Sequence, residues 1–156
     1  METGVRGVQR RAHVAFSAML GVLVAKLLAG TVSSVYVGLV VAIVAGVFPD
    51  LDLGYRHRAA LHNLFACVLL GLLAYYVASL YSQGLGVLVG ASFVAGFLGH
   101  LFLDALTVRG VALLYPFSKK YYRLAKLRSN NRLANMVIEV LSLLALIAIF
   151  VSPLGW

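Results

Sequence analysis

Residues 85–107 read LGVLVGASFVAGFLGHLFLDALT, and this stretch decides what kind of molecule the chain makes. Not one of residues 85–99 is charged. As a helix, the 23 residues rise about 1.5 Å each, enough to cross a hydrocarbon core of about 30 Å. His100 and Asp104 close the stretch. Four residues apart, they project from one face of a helix. The segment therefore predicts a membrane-spanning helix with polar chemistry at one end.

Working outward, four more apolar segments appear, at about 14–29, 32–48, 60–80 and 134–152. The chain has 156 residues, 62% of them hydrophobic and 12% charged, with mean hydropathy +0.97. A soluble domain carries about 25% charged residues. Water could not solvate this surface, so the expected fold is all-α, a polytopic bundle of about five spanning helices forming one integral membrane domain over residues 1–156. Gly30-Thr31 leaves room only for a tight hairpin between the first two helices. The first segment lacks the small-x-small cleavage site of a secretory signal. Segment 109–133 is basic and aromatic, with Tyr115, Phe117, Tyr121 and Tyr122, and reads as an amphipathic interfacial helix, a reading compatible with a substrate-gripping lid. The single cysteine, Cys67, lies in an apolar run and reads as packing.

A net charge of +8 raises nucleic acid as a partner. The basic residues flank apolar segments and lack groove-reading modules or aromatic platforms, so the sequence points away from it. They order the topology instead. With the N-terminus in the cytoplasm, Arg6, Arg10, Arg11, Arg56, Arg58 and seven residues of the last loop all lie inside, 12 of the 13 Lys and Arg. Only Lys26 falls at the other side, where it can snorkel. The expected location is the cell membrane, N-terminus inside and C-terminus outside.

The same topology gathers the rare acids and histidines. There are four histidines, His13, His57, His62 and His100, and five acids, Glu2, Asp50, Asp52, Asp104 and Glu139. Facing lipid, each acid would cost about 2.5 kcal/mol or more. Apart from Glu2, all map to the inner ends of helices or to inner loops. Asp50-x-Asp52 follows Pro49 and precedes Gly54, so a loop is expected, and its two carboxylates repel unless a cation joins them. His57 is expected in that loop and His62 in the first turn of the next helix. A mixed His/Asp set suits Zn, with Mn or Fe as the other choices. The candidate metal ligands are His13, Asp50, Asp52, His57, His62, His100 and Asp104. Seven exceed the three or four protein ligands of one catalytic zinc, which allows one or two ions. Glu139, about two turns into the last helix, is read equally as a ligand, a general base or the partner of an arginine such as Arg109 or Arg132.

The order of these motifs resembles the YdjM-like family of membrane-bound, predicted metal-dependent hydrolases. The resemblance rests on His13, Phe48-Pro49-Asp50-Leu51-Asp52, His57-Arg58-x3-His62, Gly99-His100-x3-Asp104-x2-Thr107-x2-Gly110 and Tyr115-Pro116-Phe117-Ser118. It covers nearly the whole chain. It implies a polytopic helical fold and a metal-assisted hydrolytic site near one membrane surface. Two positions depart from the family pattern: Leu53 stands where His is common, and Asn63 where Ser or Thr is common.

Together these features predict a metal-dependent hydrolase acting on a phosphoester or related bond of a membrane lipid at the cytoplasmic face. Asp52 or Glu139 would serve as general base. Arg58 and Arg109 would hold a phosphate through bidentate guanidinium contacts. Two rivals come from other classes: a metal-ion or proton transporter, and a non-catalytic membrane subunit with a structural metal. The sequence leaves the oligomeric state open.

Overall fold

Gly30 and Thr31 fold the first two apolar segments against each other, as their spacing predicts. Gly30 takes φ +60°, a left-handed conformation that ends the first helix. Thr31 accepts a hydrogen bond from Ser34 N, and Ser34 reciprocates to the Thr31 backbone N–H. The computed structural model describes residues 2–52 and 60–152, with side chains from 10–51 and 60–152.

Within these bounds lie five helices: α1 (Glu2–Leu28), α2 (Val32–Val47), α3 (Leu64–Ser79), α4 (Gln83–Ala105) and α5 (Arg132–Val151). Four stretches, Arg10–Leu28, Val32–Leu51, Gln83–Ala105 and Arg132–Val151, are long and apolar enough to cross a membrane. The third segment, expected over 60–80, shortens to the 16 residues of α3. Asn63 caps that helix, so residues 60–63 form a turn ahead of it. Conversely, α1 starts well before residue 14 and runs for 27 residues. Hydropathy marks the lipid-embedded part of a helix and is blind to a polar extension. Asp50 lies in a short 3-10 helix, Phe48–Asp52, where a loop was expected. Pro49 has no N–H to continue the α-helical ladder, and the chain tightens as it leaves α2.

α1, α2 and α4 form the centre of the bundle. A Cβ at Gly96 of α4 would lie 2.6 Å from Ala42 O, and one at Gly38 of α2 would lie 2.7 Å from Gly21 O. Only glycine permits these approaches, which is how helices associate where lipid removes any hydrophobic drive between them. Ser17 Oγ donates to Gly96 O at 2.8 Å and ties α1 to α4 at the same level. Phe97, Val22 and Ala42 fill the remaining space without exposure. α3 packs on α4, where Gly71 and Gly90 face Val94 and Tyr75. α5 packs on α1 alone in any extent, and Ser142 is its one buried residue.

α1 and α5 run parallel. His13 shares a cleft with Ala134, Asn135 and Ile138 near the start of α5, and Lys26 reaches the end of α5. There Lys26 Nζ donates to Ile149 O at 2.6 Å and Ser152 O at 2.7 Å. Expected to snorkel, Lys26 instead caps carbonyls that the last turn of α5 leaves without amide partners.

Segment 109–133 corrects the sequence reading. No interfacial helix forms between Arg109 and Asn131, and the chain folds into turns and isolated bridges. Pro116 sits in its middle and bars helix at Tyr115, while Gly110 takes φ +67°. Val111 and Tyr122 exchange both backbone hydrogen bonds, 3.0 and 2.9 Å. Leu124 N donates to Ala105 O at 2.7 Å and Leu127 N to Leu106 O at 3.1 Å, so the loop satisfies the end of α4. Leu64 N donates to Leu113 O at 2.9 Å and fastens the loop to the start of α3. Val111 and Ala112 are buried, while Phe117, Tyr121 and Leu124 are exposed.

Candidate metal centre

The fold brings the middle of α1, the start of α5, the exit of α2, the entry to α3 and the end of α4 together near one end of the bundle. His13 projects from α1 and is buried at 5% exposure. His100, at 1%, projects from α4 one turn before Asp104. Asp50 arrives on the 3-10 helix. His62 lies in the turn before α3, one residue outside the cap rather than within the first helical turn. Asn63 positions it: its Oδ1 accepts from Ala66 N at 2.7 Å and its Nδ2 donates to Ala60 O at 2.8 Å. Asn, Ser and Thr all serve as N-caps, so the departure from the family pattern at residue 63 keeps the same local structure.

These five side chains meet. Asp104 Oδ1 is 3.2 Å from His13 Nε2, and its Oδ2 is 3.6 Å from His62 Nε2 and 3.4 Å from His100 Nε2. Asp50 Oδ1 is 3.9 Å from His62 Nε2 and 3.8 Å from His100 Nε2. The His13 and His100 rings lie 4.5 Å apart and those of His62 and His100 5.4 Å apart. Two triads have donor atoms within 4.8 Å of one another: His13, His100 and Asp104, and Asp50, His62 and His100.

His100 is the pivot of both. Its Nδ1–H donates to Gly46 O at 2.7 Å. In a neutral imidazole that bond leaves Nε2 as a bare lone pair. Nε2 is buried and has no hydrogen-bond partner among the described residues. It faces two carboxylates, so in that neutral form the inner surface of the cluster presents acceptors. A backbone carbonyl holding the far nitrogen of a ligating histidine is a common support of metal sites. The set fits a divalent transition metal in donor type, number and orientation.

His57 and Arg58 lie outside the described residues, as does the side chain of Asp52. Arg109 is exposed and makes no ion pair among the described residues. Glu139 is half-buried, belongs to neither triad, and has no hydrogen bond or ion pair with a described residue. Its depth along α5 suggested the cluster, but α5 packs mainly on α1, and depth alone does not bring residue 139 into either triad. The arginine pairing expected as its other role is likewise missing among the described residues.

Beside His13, a cleft runs between the end of α4 and the start of α5, and Thr107, Arg128 and Asn135 help line it. Sequence reasoning missed these residues as a group. Arg128 was one of seven basic residues in its loop, with nothing in its neighbours to single it out. The Gly46 carbonyl carries no side-chain signal at all.

The bundle and its cluster define a helical membrane protein with a His/Asp site at one end. The chain belongs to the YdjM inner membrane protein family, whose model matches residues 9–155. Neither the curated proteins nor the solved structures yielded a match.

Proposed function

We propose that the chain is a metal-dependent hydrolase embedded in the membrane, cleaving a phosphoester or related bond of a lipid at the cytoplasmic face. One observation carries this reading: His100 is held to Gly46 O at 2.7 Å, which aims its Nε2, buried and without a hydrogen-bond partner among the described residues, at the carboxylates of Asp50 and Asp104, 3.8 and 3.4 Å away. With neutral histidines the cluster presents converging acceptors, an arrangement that a metal cation in place of shared protons would stabilise. His62, His100, Asp50 and Asp104 would hold such an ion, with His13 at its flank. Zinc suits the donor set best. When bound, a divalent ion of this kind supplies Lewis acidity, bringing the pKa of water toward about 7 and offsetting negative charge on a phosphoryl oxygen.

The chain's own residues divide the remaining tasks. Gly46 O orients His100 and fixes its tautomer. His13 Nε2, 3.2 Å from Asp104 Oδ1 and on the cleft, is placed to hold or pass a proton there. The Gly and Ser packing of α1, α2 and α4 closes the bundle centre, which favours surface chemistry over conduction across the membrane.

Turnover is the decisive measurement. The purified chain, loaded with zinc, should release phosphate or a head group from a phospholipid substrate. Zinc bound in stoichiometric amount with no turnover across a panel of lipid phosphoesters would leave a structural metal. Zinc uptake into sealed proteoliposomes would make the chain a transporter.

A further inference from the structure

The cleft beside His13 is narrow, with room for about one water molecule, and is built of two kinds of wall. The half-buried Leu106 and Ile138 make one side apolar, with the buried Leu103 behind them, while His13, Arg128 and Asn135 make the other polar. α4 and α5 both pack on α1 but make little contact with each other, so the gap between them faces the surroundings of the bundle. In a membrane those surroundings are lipid. The gap lies at the first turns of α5, and the end of a membrane-spanning helix is where head groups meet hydrocarbon.

Arg128 is held in this cleft by its neighbours on both sides. Leu127 is fastened to α4 through Val108 N, 2.9 Å from Leu127 O, and through its own N–H to Leu106 O at 3.1 Å. Ser129 is fastened to α5, because Asn135 Nδ2 donates to Ser129 O at 2.9 Å. The backbone of Arg128 is therefore clamped between two helices, although the residue lies in an irregular loop. Its guanidinium is exposed and makes no ion pair or hydrogen bond among the described residues. An arginine anchored at its backbone with all its donors available, beside an apolar wall, matches a phosphate that carries acyl chains.

We infer that the mouth of this cleft binds a phosphate-bearing glycerolipid from the side, its phosphate on the exposed Arg128 and an acyl chain across the half-buried Leu106 and Ile138. The inference rests on the hydrolase reading for its purpose, since it delivers the phosphoester next to His13. It assigns to Arg128 the phosphate-holding role that the sequence offered to Arg58 and Arg109.

The probe is phosphatidic acid with a photoactivatable diazirine in one acyl chain, added to the purified chain in neutral maltoside micelles. Cross-links are expected on the end of α4 and the start of α5. Arg128→Ala should cut labelling about tenfold, the loss of one charge-assisted contact. Arg128→Lys should restore part of it, and Ile138→Trp should block it by filling the slot. Arg123→Ala, on the same loop, should leave labelling unchanged. An equal loss in Arg123→Ala would reduce the effect to general positive charge and overturn the site. Labelling spread evenly over the helices would do the same. Competition by glycerol 3-phosphate at the concentration of the lipid probe would show a site for free phosphate esters and remove the lipid as occupant. Zinc content, measured on the same samples, separates the two readings. Normal zinc with labelling lost only in Arg128→Ala and Ile138→Trp supports both. Labelling intact in a parent chain that binds no zinc supports the lipid site and sinks the hydrolase.

Discussion

Asp104→Asn tests the metal centre at the residue that touches most of it. Asp104 places one oxygen 3.2 Å from His13 and the other 3.6 and 3.4 Å from His62 and His100. Asn keeps the volume, removes the charge and replaces one oxygen by an amide donor. Partners outside a metal's own ligand set are worth about 10–100-fold in affinity. A carboxylate facing three histidines should be worth at least the upper figure, about 2.7 kcal/mol for about 100-fold. At free zinc about 100 times the parent Kd, the parent gains about 2.7 kcal/mol of stability. The variant then sits at its own Kd and gains only about 0.4 kcal/mol. The difference of about 2.3 kcal/mol corresponds to roughly 5–9 °C in Tm for a chain of this size. The assay is thermal unfolding with a thiol-reactive dye, because Cys67, the single cysteine, is 1% exposed and reacts only when the packing of α3 and α4 opens. A parent Tm that ignores zinc, or a variant that keeps the full zinc shift, would refute the reasoning.

Asn63→Ala should cost about 1–2 kcal/mol through the lost cap and weaken zinc binding through the displaced neighbour His62. Asn63→Ser should retain the cap and most of the affinity, and equal behaviour of the two in a zinc titration would count against that link. With the N-terminus inside, a cysteine placed by Ser118→Cys in a Cys67→Ser background should resist an impermeant maleimide added to intact cells and react after permeabilisation. Labelling in intact cells would invert the topology. Elemental analysis of chain purified without chelator should give one transition-metal ion per chain.

Particular residues show why some of this was legible in the sequence. Spans were visible because lipid demands long uncharged runs, and 85–99 supplies one. The true start of α1 was hidden because its first turns are polar. The segment after Arg109 misled because basic and aromatic residues alternate there in a way that suits the membrane interface. That composition says nothing of helix, and Pro116 forbids it in the middle. His13, Asp50, His62, His100 and Asp104 stood out because a polar group at this depth needs a reason. Depth can be read from topology, but the direction in which a side chain points cannot when one face of a helix is known only from its packing. Glu139 shares the depth of the cluster and none of its contacts. His100 and Asp104 succeeded where Glu139 did not because their four-residue spacing supplies direction as well as depth.

The expected stoichiometry of one ion follows from charge and from donor geometry taken together. The described cluster holds two carboxylates, Asp50 and Asp104, and three imidazoles. With neutral histidines its charge is that of the two acids, and one divalent cation cancels it. At the margin of a bilayer that balance matters, since each uncompensated acid facing lipid costs about 2.5–3.5 kcal/mol. Geometry agrees. Both triads need His100, yet Gly46 occupies its Nδ1 at 2.7 Å, so it has one nitrogen to give and serves one ion. Asp50 Oδ1, His62 and His100 would supply three donors, and Asp104 Oδ2, 3.6 and 3.4 Å from the two histidines, would be the fourth of a tetrahedral zinc shell. Asp104 Oδ1 and His13 are left on the cleft side, short of what a second ion would require. A second ion there would also add two positive charges that no described carboxylate offsets, whereas an incoming phosphate would. Two ions per chain in the absence of any phosphate ester would break this balance. The result would mean that donors beyond the five described side chains complete a second site, and the assignment of the cluster would have to be redrawn around them.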